Sequence, residues 1–303
     1  MRVTNQSQLF ANQKALQYNL QALDRLRGDI SSGVRIHTMS DDPTNASQLM
    51  RVGSSMRALT QFRRNLNLGV AQGTAEEGAV DQLTNALGRA VDLGISQGNA
   101  TANAQSRLIV KAEVDNLIAH SVNLGNTRLG DDYIFGGNRT GEAPFQNPAT
   151  VATPFSRLLD AGGGSVNPSG NRQIEVGDNK FITPVHNGTD VFLSTDALES
   201  LRALSTALGA NDVAGIATAT ARITAAQDKV QGVLGAQGAR MNDMDNQTHT
   251  LNLTELSMRS LRSDLRDTEV DEAITELTGR QTLYQAALSA TSRILGLSLA
   301  NYL

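Results

Sequence analysis

A heptad repeat constrains this chain of 303 residues more than any other feature. Positions spaced seven apart along it are apolar, with one glutamine among them, as in the seam of a coiled coil. The repeat consists of Ile216, Ile223, Val230, Gln237, Met244, Leu251, Met258 and Leu265. It predicts one helix of about 50 residues, about 80 Å long. Because a compact fold rarely needs such a helix, the repeat predicts an elongated rod.

The N-terminal region carries a seam of the same kind. Its apolar members are Leu9, Leu16, Leu20, Leu23 and Ile30. Gly33 is expected to end this helix, and Asp42 is expected to cap a second helix that begins at Pro43. The second helix is predicted to end at the segment GNATAN (98–103), and a third helix is predicted from about Gln105 to Leu129.

The middle of the chain differs in composition. Five of the six prolines lie between Asp131 and Asp196. The alternating segments RQIEV and KFITPV, joined by GDN, are typical of a β-hairpin. The sequence therefore predicts a small β-rich lobe, followed by a helix that Asp196 caps together with Glu199.

These elements predict a mainly α fold: a rod of long antiparallel helices with coiled-coil-like terminal helices and a small β-rich inserted lobe. The charged segment RSDLRDTEVDE interrupts the long repeat before a last helix. Each terminal helix is therefore separated from the rod by a non-helical segment, which follows Gly33 at the N-terminal end. The predicted domains are an inner core of residues 1–42 with 267–303, a rod of 43–139 with 196–266, and a lobe of 140–195.

The C-terminal helix carries two apolar stripes. The first contains Leu277, Tyr284, Leu288, Leu295 and Tyr302, and the second contains Leu283, Ile294 and Leu297. A helix that is apolar around most of its circumference must be covered around most of it. We expect the first stripe to pair with the N-terminal helix and the second to contact a neighbouring chain. A central helix in an ordinary bundle would show the same pattern, so that alternative stays open.

Composition and motifs give no argument for catalysis or for binding nucleic acid or a membrane. The formal net charge is -4, and the chain has no cysteine. The four histidines, His37, His120, His186 and His249, are isolated from one another, which disfavours a metal site. No phosphate-binding loop, G-x-S-x-G or H-E-x-x-H motif occurs, and neither a classical signal peptide nor a membrane-spanning apolar run is visible.

Several segments resemble the bacterial flagellin family. DISSGVRIHTMSDDPTNAS (29–47) is similar to the family pattern LSSGxRI…DD, and residues 71–99 and the C-terminal helix are also similar to it. DDYIFGGNRTGEAPF (131–145), VGDNKFITPVHNGTDVF (176–192) and SLANYL (298–303) resemble its hook-associated branch. The resemblance covers nearly the whole chain and is weaker over 146–230.

The resemblance implies a structural protein without a cofactor, located outside the cell at the hook–filament junction of the flagellum. Its expected partners are further copies of itself in a ring, the junction protein FlgK, flagellin, and the export chaperone FlgN, which would guard the C-terminal helix. Export would follow the flagellar type III route without a cleaved signal peptide. Two alternatives remain: flagellin itself, which polymerises into long filaments, and a soluble helical ligand-binding protein or enzyme.

Overall fold

The computed structural model describes residues 5–99, 102–148, 150, 153–158 and 166–300, with their side chains except those of 5–9 and 293–300. Within these residues the chain forms six α-helices: α1 (Asn5–Ser32), α2 (Pro43–Gln97), α3 (Ala104–Gly125), α4 (Ala197–Gly209), α5 (Val213–Arg266) and α6 (Val270–Ala300). Two antiparallel strand pairs lie between α3 and α4: β1 (Arg128–Leu129) with β2 (Asp132–Tyr133), and β3 (Ile174–Gly177) with β4 (Lys180–Ile182). The predicted fold class, mainly α with small strands in an insert, is confirmed.

The described residues form two compact units. One comprises the residues up to Ala58 and from Thr254 onward, and in it α1 packs against α6. The other is Leu59–Leu253. The domain limits drawn from the sequence stay a prediction.

The heptad repeat forms the buried stripe of α5. The first six of its eight positions are buried and the last two are half-buried. Because α5 is continuous over 54 residues, the predicted long helix is confirmed. Gln237 is fully buried in the stripe, and its Nε2 donates a hydrogen bond to the carbonyl oxygen of Pro184 (3.0 Å), whereas its Oε1 has no hydrogen-bond partner among the described residues.

The main hydrophobic core of the second unit is enclosed by four helices. Buried residues from α2, α3, α4 and α5 meet in one cluster, which includes Leu87, Ile118, Leu201 and Ile223. Four fully buried phenylalanines from the segments between α3 and α4 complete the core: Phe135, Phe145, Phe155 and Phe192. The insert therefore stabilises the helices through its aromatic side chains.

The predicted hairpin is confirmed and docks on α2 and α5. Its inward side chains, Ile174, Val176 and Ile182, are buried with Leu66 of α2 and Met244 of α5. The outward residues of the two strands, such as Phe181, are exposed, which is the alternation expected of a strand pair covered on one face.

The predicted ends of α1 and α2 are also confirmed. Gly33, which follows α1, has the left-handed φ of +68° that favours glycine. Asp42 caps α2, because its carboxylate accepts a hydrogen bond from the backbone N–H of Asn45 (3.0 Å). The third helix ends at Gly125 rather than at Leu129, because the chain turns there into the β1–β2 pair.

The predicted cap of α4 is wrong, although the helix begins where expected. Asp196 has a left-handed φ of 67° and its side chain makes no capping hydrogen bond. Its carboxylate instead binds Arg222 of α5 (2.8 Å), and Glu199 pairs with Arg202. Ion pairs therefore use both carboxylates that the sequence assigned to capping, one between two helices and one within α4.

Candidate assembly surface

The terminal helices α1 and α6 cover part of each other's apolar seams. Among the residues predicted for the interface, Leu23 is buried, and Leu16, Ile30, Leu277 and Tyr284 are half-buried. Ala273, in the first turn of α6, is buried as well. The packing of α1 on α6 follows the pairing expected of two helices that each carry a coiled-coil seam.

Three other predicted interface residues are exposed: Leu20 by 40%, Leu283 by 63% and Leu288 by 44%. Leu283, which belongs to the stripe expected to contact a neighbouring chain, is thus more exposed than Leu288 of the stripe expected to pair with α1. The side chains of Leu9, Ile294, Leu295 and Leu297, and Tyr302 as a whole, lie outside the described residues. The assignment of these residues to an assembly interface stays a prediction.

Further apolar residues of the same helices are exposed, and sequence reasoning missed two of them, Phe10 and Tyr18. Phe10 and Tyr18 of α1 are each 68% exposed, and Val270 and Ile274 of α6 are 45% and 46% exposed. Phe10 and Tyr18 are the only aromatic residues of α1 and lie off its seam, a signal that was available in the sequence. Together with Leu283 and Leu288, they leave apolar side-chain area of the terminal pair exposed, as is found at surfaces that bind other proteins.

The segment that follows α1 is hydrogen-bonded to the segment that precedes α6. Val34 and Asp267 form an isolated antiparallel bridge. The N–H of Arg35 donates to the carbonyl oxygen of Arg266 (2.8 Å), and the N–H of Thr268 donates to that of Gly33 (3.0 Å). We call residues 33–42 with 266–268 the joint, because these bonds fix the end of α1 beside the start of α6.

Ion pairs and hydrogen bonds hold the joint in shape. The Asp41 carboxylate accepts hydrogen bonds from the N–H groups of Thr38 (2.7 Å) and His37 (3.0 Å) and pairs with Arg25 (3.1 Å). The Thr38 amide is the main cause that lowers the pKa of Asp41 below its ordinary value. The Asn45 amide likewise lowers the pKa of Asp42. Both carboxylates are therefore structural parts of this segment.

A buried contact between a histidine and a glutamate in the second unit was not foreseen either. The Nδ1 atom of His186 lies 2.7 Å from Oε1 of Glu76, and the His186 N–H donates to Oε2 (3.0 Å). The pair fastens the segment after β4 to α2. Among the described residues no group of His, Asp and Glu side chains is arranged to hold a metal ion. Within the same residues, no helix has an apolar stretch sufficient to cross a bilayer.

Two family models match the chain. The bacterial flagellin N-terminal helical region matches residues 3–140, and the bacterial flagellin C-terminal helical region matches residues 213–303. The first match spans α1 to the β1–β2 pair, and the second spans α5 and α6. Together they cover both terminal helices of the candidate assembly surface.

The chain is also similar to individual flagellar proteins. It is 24% identical to flagellar hook-associated protein 3 of Escherichia coli K12, over 96% of this chain and 98% of that protein. It is 24% identical to the flagellar filament 30.7 kDa core protein of Treponema maltophilum, over 94% of this chain and 92% of that protein. The crystal structure of Bacillus cereus FlgL has the same fold, with a TM-score of 0.57 and 19% identity over 70% of this chain and 99% of that one.

Proposed function

Because this chain belongs to the bacterial flagellin family, we propose that it is a junction adaptor between the flagellar hook and the flagellin filament. The observation that carries the proposal is the match to hook-associated protein 3, which extends over 98% of that protein. A match of that extent includes the insert between the helices as well as the terminal regions shared across the family.

Members of this family are structural proteins, and the chain is a structural component of the flagellum rather than an enzyme. Its role is therefore to bind other flagellar subunits. The exposed apolar residues of α1 and α6 support this role. Each is about half exposed, so burial of the rest of its side chain in an assembly contributes about 1 kcal/mol, roughly half the value for complete burial.

The proposed partners are further copies of this chain in a ring, FlgK on the hook side and flagellin on the filament side. A ring of identical subunits along an axis needs two different patches that meet head to tail. In this proposal the second stripe of α6 supplies one such patch, within an inner core of residues 1–42 and 267–303.

Export is proposed to follow the flagellar type III route, with FlgN bound to the C-terminal helix beforehand. Removal of residues 280–303 should abolish co-purification of the chain with FlgN. A matched truncation at the other end, removal of residues 1–24, should leave it intact. Undiminished FlgN binding after the first truncation would contradict this placement of the chaperone site.

Flagellin, the bulk filament subunit, is the second candidate. The similarity to a Treponema filament core protein over 94% of the chain favours it. Purified chain added to filament seeds separates the two candidates in electron micrographs. An adaptor should cap the seeds without extending them, whereas long filaments made of this chain alone would contradict the adaptor role.

Location on the cell is the direct test of the proposed function. A labelled antibody against the chain should bind one narrow zone between hook and filament in electron micrographs. Labelling along the whole filament would support the flagellin alternative, and absence of label from flagella would contradict both.

A further inference from the structure

An open groove of about 600 Å³ lies between α1 and the beginning of α6. Its apolar lining includes Tyr18 and Leu26 of α1 and Ala273 of α6. Two exposed carboxylates, Glu269 and Glu272, line it on the α6 side. The groove therefore combines an apolar floor with an acidic wall.

Most other charges of the groove are neutralised locally. Arg25 pairs with Asp41 (3.1 Å), Arg35 pairs with Asp42 (3.7 Å), and Arg280 pairs with Glu276 (2.8 Å). Asp29 is buried, and its Oδ1 lies 3.0 Å from Nε2 of His37. Glu269 and Glu272 form no ion pair with any described residue, so the groove presents two uncompensated negative charges.

The first part of α2 combines an exposed apolar residue with an exposed positive charge. Met50 is 62% exposed, and Arg57, seven residues later, is exposed on the same face of the helix. Gly53 and Ser54 lie between them on that face, and Nη1 of Arg57 lies 3.8 Å from the position that a Cβ would take at Gly53. Arg57 forms no ion pair with any described residue. We call Met50, Gly53, Ser54 and Arg57 the α2 face.

We propose that the α2 face of one copy docks in the α1–α6 groove of a second copy, with Arg57 against Glu269 and Glu272 and Met50 against Tyr18 and Leu26. Opposite charges left unpaired on two surfaces of one chain compensate each other when copies associate. Because the groove and the α2 face are different patches, the contact is head to tail and can repeat around a ring. The inference rests on the proposed junction role and names the subunit contact that role requires.

Charge exchange tests the contact. Glu272→Arg and Arg57→Glu should each lower the amount of chain in isolated flagella about fivefold or more, since each places like charges together. The double variant, Glu272→Arg with Arg57→Glu, should restore incorporation to within about twofold of wild type, because the pair is re-formed in reverse. Circular dichroism of each purified variant should match wild type, which excludes unfolding as the cause.

Two neighbouring charges serve as controls. Asp271→Arg changes a carboxylate of α6 outside the groove, and Arg51→Glu changes an arginine of α2 outside the α2 face. Both control variants should be incorporated into flagella normally. Neither should restore incorporation when it is combined with Glu272→Arg or Arg57→Glu. A double exchange that fails to restore incorporation, or controls as defective as the groove variants, would overturn the contact.

The outcomes also separate this contact from the junction role. Normal incorporation of Glu272→Arg and Arg57→Glu at the junction would overturn the contact and leave the role intact. Absence of wild-type chain from flagella would overturn the role, and the contact with it.

Discussion

Arg107 shows how much of this fold depends on single side chains. It is buried, and no carboxylate accompanies its guanidinium among the described residues. Three oxygen atoms accept its hydrogen bonds: the carbonyl oxygens of Gln97 (3.2 Å) and Asn99 (3.2 Å) and Oδ1 of Asn211 (2.5 Å). One residue at the start of α3 thus fixes the end of α2 and the turn that precedes α5.

Replacement of Arg107 by methionine should therefore destabilise the protein. The substitution keeps much of the side-chain volume, but it leaves the buried carbonyl oxygen of Gln97 without its donor and removes the two part-buried bonds to Asn99 and Asn211. We therefore expect a loss of about 2 kcal/mol in the free energy of unfolding. Urea denaturation followed by circular dichroism measures it. Arg89→Met, which removes the exposed pair with Glu113, should cost under about 1 kcal/mol. Equal losses in the two variants would contradict the role given to Arg107.

The lowered pKa of Asp41 predicts that acid destabilises the joint. Because backbone amides lower its pKa, first of all that of Thr38, the unfolded carboxylate binds protons more readily than the folded one. The contribution of Asp41 to stability is then present above its ordinary pKa and is lost as the pH falls through the lowered pKa. The pKa of Asp42 is lowered as well.

A single tryptophan at Met39 can report this transition, since the chain has none and Met39 is 55% exposed. Its fluorescence should change as the pH falls below the ordinary range of aspartate. In a second variant with Asp41→Asn, the acid-dependent change should be much smaller and the neutral spectrum should already resemble the acid one. Asp24→Asn, at an exposed position of α1, should titrate like the parent. An identical acid transition in the Asp41 variant would contradict the assignment.

At the scale of elements, the packing of α2 against α5 depends on a missing side chain. A Cβ at Gly94 of α2 would overlap the hydroxyl oxygen of Thr220 and lie 3.2 Å from the Thr220 Cβ, which is held by the α5 backbone. Glycine inside a helix normally lowers stability by about 1 kcal/mol relative to alanine. Its presence here is therefore explained by the close approach of the two helices.

Gly94→Ala should accordingly lower the free energy of unfolding by about 1–3 kcal/mol, because the added methyl group overpacks the interface. Gly78→Ala is the matched control in the same helix, since a Cβ there meets nothing within 4 Å. That control should raise stability by up to about 1 kcal/mol. Thermal denaturation of both variants measures the difference, and stabilisation by Gly94→Ala would show that the helices are not in close contact at this level.

Elements were predictable from the sequence wherever a local pattern decides them. The heptad spacing predicted α5, Asp42 and Pro43 predicted the start of α2, and the alternation around GDN predicted the hairpin. Local pattern was misleading at Asp196, where a distant arginine competes for the carboxylate that a capping box would use. Helix ends decided by tertiary contacts, such as that of α3, were placed less accurately for the same reason.

At the scale of the whole molecule, sequence reasoning could not find contacts between residues far apart in the chain. Arg107 and Asn211 are separated by 104 positions, and Glu76 and His186 by 110. Their residue types show no periodicity, and only the folded chain brings each pair together. Seams, by contrast, are periodic, so the packing of α1 on α6 could be predicted although their sequences lie at opposite ends of the chain.

The last prediction concerns assembly of the whole protein through those terminal helices. Leu288→Asp should leave the unit Leu59–Leu253 folded, because Leu288 lies outside that unit and is 44% exposed. It should abolish motility and incorporation into flagella, since a carboxylate cannot be buried without a partner in an apolar contact between subunits. Circular dichroism of the purified variant and swimming in soft agar provide the two measurements.

Leu68→Asp is the matched control, because Leu68 is also 44% exposed but belongs to α2 in the other unit. It introduces the same charge at the same exposure, so a general effect of an exposed aspartate would appear in both variants. If the terminal helices carry the assembly surface, only Leu288→Asp should stop swimming while both proteins stay folded. Full motility of the Leu288 variant, or equal loss in the two, would contradict the assignment of Leu288 to the subunit interface.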